Sequence, residues 1–261
     1  FGSSVEAFSL LLKIIYKVFI YLNIKGIEVA MQESKQSENN SSHRVLSEYE
    51  SKKMLADYGI PVSEEILVQS KEQAFDAAKK IGFPVVLKAC SPELMHKSEA
   101  GCVELSLTSD DDVADAYDRI VSSVAGAISG ELEGVLVAEM VSGARELVLG
   151  LTREPQFGPC VMIGLGGVMT EIFKDTVFRV APFDQVEAED MISELKSRAM
   201  LNEFRGESPA DMKAICQCLI SLGKIGLENP DISEIDINPL KIGKDGRVKA
   251  VDALIILNKP D

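Results

Sequence analysis

From Ser47 onward, helix caps, helix stops and short apolar β-type runs follow one another so closely that an α+β domain is the arrangement they leave. Ser47 with Glu50 makes a capping box for a helix that runs to about Tyr58 and ends at Gly59-Ile60-Pro61. Ser70 with Gln73 opens a second helix, closed by Gly82, and Val85 to Ala89 reads as a short strand. Val103, Leu105 and Leu107 alternate as a half-buried strand, and Ser109 caps an acidic helix to about Ser123. Val135 to Ala138 and Leu147 to Leu151 read as strands joined by residues 139–146, and Val161 to Ile163 runs into Gly164-Leu165-Gly166-Gly167. Helices are predicted at 184–197 and 208–226, the second with Ser208 as cap and Pro209 at its first position. Ile232 to Ile237 and Val248 to Ile256 flank Gly243-Lys244-Asp245-Gly246, a turn sequence of the hairpin kind. No fixed-period repeat or heptad is present, which points to a two-lobed, enzyme-like domain.

With 261 residues, 46% of them apolar, the chain can bury a real core and divide into two lobes. Forty-one acidic against 27 basic residues give a net charge of −14, a poor match for nucleic acid or an anionic membrane, so neither is expected as a partner. A nucleotide remains compatible, because a few amides, a lysine or two and a divalent cation suffice to neutralise its phosphates. The five cysteines are scattered and form no zinc-type spacing; they read as buried thiols in a reducing cytoplasm. The apolar run Phe8 to Leu22 carries Lys13 and Lys17 and falls short of the ~20 residues of a membrane span, and it lacks the basic leader and small-residue cleavage site of a signal peptide. Residues 1–30 precede the first Met, at 31, and read as upstream translated sequence or an appendage. Residues 32–44 are almost wholly polar and read as a disordered linker.

Chemistry concentrates in the closing hairpin. Asp236 and Asn238, two apart, share one face of a strand, and a loop of Lys244 to Gly246 sets Asn238 opposite Asp252. Three oxygen donors gathered this way suit Mg2+, which takes one or two protein oxygens and completes its octahedron with water and phosphate. Against a solvated strand face stands the fact that these polar residues interrupt otherwise apolar strands. Lys88 ends an apolar strand ahead of a loop holding His96, one of two histidines in the chain, and a neutral ring nitrogen can carry a phosphoryl group near neutral pH. Taken alone, a lone strand-end Lys or loop His is more often a surface residue. The Gly164 to Gly167 turn could form a phosphate nest, a weak signal without a Walker lysine or dinucleotide spacing, and the chain has neither a G-x-S-x-G elbow nor an H-E-x-x-H helix.

In order, these pieces resemble the ATP-grasp β subunit of ADP-forming acetate–CoA ligases over roughly residues 45–258, with the succinyl-CoA synthetase β subunit as a more distant relative. The carriers are Leu46-Ser-Glu-Tyr-Glu to Gly59-Ile-Pro-Val62, Pro84-Val-Val-Leu-Lys88, His96-Lys-Ser-Glu-Ala-Gly-Cys-Val103, Glu139-Met140-Val141, Arg145-Glu146 to Gly150, Asp236-Ile-Asn238-Pro-Leu240 and Val251-Asp252-Ala253. The resemblance implies an ATP-grasp fold with nucleotide held between two α/β lobes. Its implied divisions are an appendage and linker at 1–44, an opening helix and turn at 45–62 packed on the second lobe, a first lobe at 63–138, and a second lobe at 139–261 with a magnesium-binding hairpin. Lys88 is implied to reach the phosphates, backbone groups of Glu139, Met140 and Val141 to meet adenine, and Glu146 to face the ribose. Asn238 and Asp252 are the implied Mg2+ ligands, His96 the phosphate relay, and Asp236 the acid that receives a phosphohistidine. Cys102 stands where glycine is usual, which implies a stiffer loop beside His96.

The implied activity is that of an acid–thiol ligase working with a CoA-binding α subunit, as an α2β2 heterotetramer in the cytoplasm. Acyl-CoA and phosphate give an acyl phosphate, its phosphoryl group passes to histidine, and then to ADP, yielding ATP and free acid. This chain has no dinucleotide-type CoA fingerprint, so it is expected to be inactive alone. The alternatives are a succinyl-CoA synthetase-like β subunit, whose further C-terminal domain has no room after Asp261, and a non-catalytic ATP-grasp regulatory module of the kind joined to an acetyltransferase.

Overall fold

In the computed structural model, which describes residues 43–94, 101–124, 128, 130, 132–167 and 175–258, the chain builds two sheets with helices on them. The apolar run at 8–22, nearly all of the polar stretch at 32–44 and His96 lie outside the described residues. Among the described residues no helix is long and apolar enough to cross a membrane.

The smaller sheet has four strands, β2 (Glu65–Val68), β3 (Val85–Cys90), β4 (Val103–Leu107) and β5 (Gly134–Glu139), in the order β2-β5-β3-β4. Helices α2 (Lys71–Ile81) and α3 (Asp110–Val124) bury Ala74, Ala78, Val113, Ala116 and Ile120 in one cluster with Val85, Leu87, Val135 and Val137. Their starts follow from the sequence: Ser70 Oγ accepts from Gln73 N at 3.3 Å and Ser109 Oγ from Asp112 N at 3.1 Å. Gln73 reaches back to the N–H of Gln69 rather than of Ser70, so that box is displaced by one residue.

The larger sheet runs β1-β11-β9-β6-β7-β8, with β10 beside β9. Its strands are β1 (His43–Val45), β6 (Arg145–Glu154), β7 (Gly158–Leu165), β8 (Thr176–Val180), β9 (Ile232–Ile242), β10 (Val248–Ala250) and β11 (Ala253–Asn258). One face, through Leu149, Leu151, Ile163, Ile235 and Ile255, packs against α1 (Glu48–Asp57), α4 (Gln185–Glu194) and α5 (Met212–Glu228). Helix α5 lies close on the sheet because Gly226 has no side chain; a Cβ there would stand 2.5 Å from Leu151 Cδ1. Helix α1 carries the full capping box read from the sequence, Ser47 with Glu50, and Gly59, at φ +80, turns the chain away.

Several expectations need correction. Val103, Leu105 and Leu107 do not alternate as one buried face: Ser106 sits at φ 59, the β3–β4 register shifts there, and Leu105 is 61% exposed. Helix α5 is capped by Asp211, whose Oδ1 accepts from Ala214 N, not by Ser208. Ser208 is held elsewhere: its N–H donates to Lys244 O and its carbonyl accepts from Arg145 Nη2. The helix expected to run to 197 stops at Glu194, and β2 and β8, short strands at sheet edges, gave no alternation to read. Strand β9 runs on to Ile242, while the returning strand splits at Val251-Asp252 into β10 and β11.

Arg145 fixes the segment that joins the two sheets. Its side chain, 1% exposed, donates to the carbonyls of Met200, Asn202 and Ser208 and pairs with Glu207 at 3.1 Å. Glu207 also accepts from Ala144 N, and Ser142 O accepts from Lys244 N. Between them Gly143, at φ +140, passes so near that a Cβ would lie 2.1 Å from Ile242 O. Removing one partner of a buried, hydrogen-bonded ion pair costs about 3–5 kcal/mol. Arg145→Ala is therefore expected to lower the unfolding free energy by that order, read from the denaturant midpoint at unchanged slope.

Candidate functional site

The loop of the closing hairpin is Lys244 to Gly246: Gly243 N donates to Arg247 O at 2.7 Å, and Val248 pairs with Ile242. Ala250 faces Leu240 before the split and Ala253 faces Ile237 after it, in one continuous register. That register leaves Asn238 across from Asp252. Pro239 has no N–H to give the ladder, and its carbonyl accepts from Val251 N at 3.2 Å. On its other side β9 bulges against β6 between Leu147 and Leu149, so the buried positions switch from Ile235 and Ile237 to Leu240 and Ile242. The outer face of the hairpin thus collects Glu234, Asp236, Asn238 and Lys241.

Lys88 meets this face from the other sheet. Strand β3 runs past it to Cys90, and the side chain is buried rather than exposed at a strand end. Its Nζ donates to Val251 O at 2.6 Å and to Glu48 Oε1 at 2.7 Å, and stands 4.0 Å from Asp252 Oδ2. Burial disfavours the ammonium, but Glu48, Asp252 and Glu65 together outweigh it and hold the Lys88 pKa above its ordinary value. Behind it lies Lys52, 1% exposed, bonded to Glu48 Oε1 at 3.3 Å, Val251 O at 3.3 Å, Ser63 Oγ at 2.9 Å and closely to Glu65. Burial raises the Glu65 pKa, against the pull of Lys52.

Asp236 faces Gly150 on β6 and Leu254 on β11; a Cβ on Gly150 would lie 3.2 Å from Met162 Cε, so the glycine makes room for that methionine. Burial first, then repulsion from Glu234 and Asp252, pushes its carboxyl up to about 7. Asn238 is exposed and Asp252 partly so, and both offer oxygen donors. Among the described residues no three His, Cys, Asp or Glu side chains gather into a metal cluster, so a cation here would rest on this small oxygen set plus its own water and ligand oxygens, the mode Mg2+ prefers.

Glu146 pairs with Lys241 at 3.3 Å, and its carbonyl accepts from Gly166 N at 2.8 Å. A Cβ on Gly166 would lie 2.9 Å from the Glu146 backbone, so this glycine serves close packing over Glu146, and its N–H is committed there. Glu139 accepts from Glu64 N at 2.8 Å and from Lys249 Nζ. Met140 and Val141 follow it, half-buried, with Met140 N donating to Pro84 O at 3.4 Å. Cys102, beside the segment holding His96, is fully buried in the smaller lobe's core, where a glycine would leave that space empty.

A profile described as ATP-grasp domain matches residues 37–257. The chain belongs to the ATP-grasp family. This ATP-grasp chain is 41% identical over 207 residues to ADP-forming acetate–CoA ligase I of Archaeoglobus fulgidus, covering 79% of the chain but spanning only 30% of that ligase. It is 40% identical over 218 residues to the β subunit of ADP-forming acetate–CoA ligase I of Pyrococcus furiosus, covering 83% of the chain and 94% of that subunit. Among solved structures it matches an acetyl-coenzyme A synthetase of Ca. Korarchaeum cryptofilum with TM-score 0.72 and 44% identity, over 82% of this chain and 93% of that one. That structure holds coenzyme A and Mg-AMPPCP, with its phosphohistidine segment pointing towards the nucleotide site.

Reading the sequence missed Glu48, Lys52, Glu65, the cross-strand partner Lys241 and the cross-sheet partner Lys249. A signal was there: Glu48, Lys52 and Leu55 fall on one helical stripe, so two charges occupy positions that face the core. Lys52→Met strands Glu65 in the interior and leaves Glu48 its bond to Lys88. It is expected to cost about 3 kcal/mol or more in urea unfolding; a loss below about 1 kcal/mol, the ceiling for exposed pairs, would show that the cluster is not buried in solution.

Proposed function

We propose that this ATP-grasp chain is the nucleotide-binding β subunit of an ADP-forming acyl-CoA ligase, an acid–thiol ligase that interconverts acyl-CoA, ADP and phosphate with acid, ATP and CoA. The observation that carries this reading is the approach of Lys88 Nζ to 4.0 Å from Asp252, with Asn238 across the hairpin from that carboxylate. A cation from one sheet and oxygen donors from the other thus stand side by side, the two kinds of group that a polyphosphate and its metal would need. The likeness to the P. furiosus β subunit over nearly its whole length favours this chemistry over a general nucleotide-binding role.

In this reading Lys88 offsets phosphate charge, and Asn238 and Asp252 hold Mg2+. When bound, Mg2+ would neutralise the charge that builds up in phosphoryl transfer. Adenine lies along the backbone of Glu139, Met140 and Val141, and Glu146 faces the ribose. A histidine on a mobile segment of the α subunit takes the phosphoryl group from an acyl phosphate, releasing the acid; His96 then accepts the group, freeing that histidine, and an oxygen of ADP displaces the His96 nitrogen to form ATP. Asp236 orients the incoming phosphohistidine. A CoA-binding α subunit supplies the acyl site, and an α2β2 heterotetramer is the assembly we expect. The free, buried cysteines fit a reducing cytoplasm.

Mixed with a matching α subunit, the chain is expected to form ATP from an acyl-CoA only when phosphate is present; no ATP from any acyl-CoA would contradict the assignment. His96→Ala should abolish transfer while ADP affinity stays near that of the unaltered chain. Asn238→Ala with Asp252→Ala should weaken magnesium-dependent ADP binding by roughly tenfold or more, about 1.4 kcal/mol, measured by calorimetry.

A further inference from the structure

We propose that Glu48 is a positioning residue that holds the Lys88 ammonium beside Asp252 but off it, and that Lys52 with Glu65 forms a separate, structural pair behind it. This inference rests on the nucleotide site described under the proposed function. The two ammoniums share the same two acceptors: Glu48 Oε1 takes Lys88 at 2.7 Å and Lys52 at 3.3 Å, and Val251 O takes them at 2.6 and 3.3 Å. Beyond these, their surroundings differ. An ammonium has three N–H donors. Lys52 also reaches Ser63 Oγ and Glu65, so its donors are saturated. For Lys88, the described residues supply only the two shared acceptors within hydrogen-bond reach, and the next anion, Asp252, is 4.0 Å away.

Lys88 therefore keeps one N–H in reserve, on the side of Asp252, whose side chain is 40% exposed. Lys52 has the opposite character, with a side chain only 1% exposed. Glu48 decides between two resting places for Lys88. With its carboxylate present, the ammonium has a better-placed anion at 2.7 Å and leaves a gap to Asp252. Without it, Asp252 becomes the nearest carboxylate, and the flexible lysine stem allows the ammonium to close the gap and form a direct pair. Such a pair would set Lys88 in competition with Mg2+ for an oxygen donor that the cation needs.

Two double variants separate positioning from mere charge balance. Glu48→Gln with Lys52→Gln, and Lys52→Gln with Glu65→Gln, each remove one acid and one base, and both delete Lys52; they differ only in which glutamate survives. ADP affinity is measured by calorimetry with and without Mg2+, on chains shown to be folded by thermal melting. The first variant is expected to bind ADP about tenfold more weakly in Mg2+, equivalent to 1.4 kcal/mol, and to lose most of its magnesium dependence, whereas the second stays within about threefold of the unaltered chain. Equal losses in both, or no loss in the first, would overturn the role of Glu48. If the first variant does not fold, Glu48→Asp, which keeps the charge on a shorter arm, replaces it; an intermediate loss supports the proposal and unaltered affinity and magnesium dependence overturn it. An unaltered chain that binds no nucleotide overturns this inference and the proposed function together, while normal binding with indistinguishable double variants overturns this inference alone.

Discussion

Two ammonium groups and two glutamates meet in the interior around one backbone carbonyl, that of Val251, and the rest of the structure is arranged to make that meeting possible. Lys52 and Glu48 come from α1, Glu65 from β2, Lys88 from β3, and the carbonyl from the split between β10 and β11. Removing charges from water is costly unless each finds a close opposite, so these groups constrain one another tightly. The same contacts tie the smaller sheet to the larger one at the point where the hairpin ladder is interrupted. A stability role alone does not explain why Lys88, unlike Lys52, sits at the mouth of the cluster.

The interruption has its own cause. Pro239 cannot donate to the ladder, and a one-residue bulge against β6 changes which side chains of β9 face the core. Upstream of it Asp236 points away from the apolar layer; downstream, Lys241 does, in reach of Glu146. The larger sheet consequently has an apolar face under the helices and a charged face opposite, where Met162 lies over Gly150. Around its rim, Glu139 with Lys249 and Ser142 with Lys244 bind the connecting segment to the hairpin that carries Asn238 and Asp252. Electrostatics and backbone geometry thus act on the same few residues.

Much of this was legible in the sequence because it depends on local rules. The Ser47–Glu50 box, the Gly59 stop and the hairpin loop at Lys244 to Gly246 are set by neighbours a few residues apart, and the loop length alone fixes Asn238 opposite Asp252. What escaped depends on distant partners. Ser208 looks like a helix cap until Arg145, 63 residues away, takes its carbonyl, and Asp211 then starts the helix instead. Leu105 fits an alternating strand until Ser106 adopts a left-handed conformation and turns it outward. The buried acid–base cluster was hardest, since single-sequence patterns treat Glu and Lys on a helix as surface residues, and only the stripe shared with Leu55 hints otherwise.

The central claim is that Lys88 from one sheet and Asn238 and Asp252 from the other converge on one polyphosphate. A crystal structure of the chain with Mg-ADP tests it most directly. The account predicts Lys88 Nζ at about 3 Å from a phosphate oxygen, with the metal touching both Asn238 and Asp252. Phosphates bound away from Lys88, with the metal held by other residues, would contradict it.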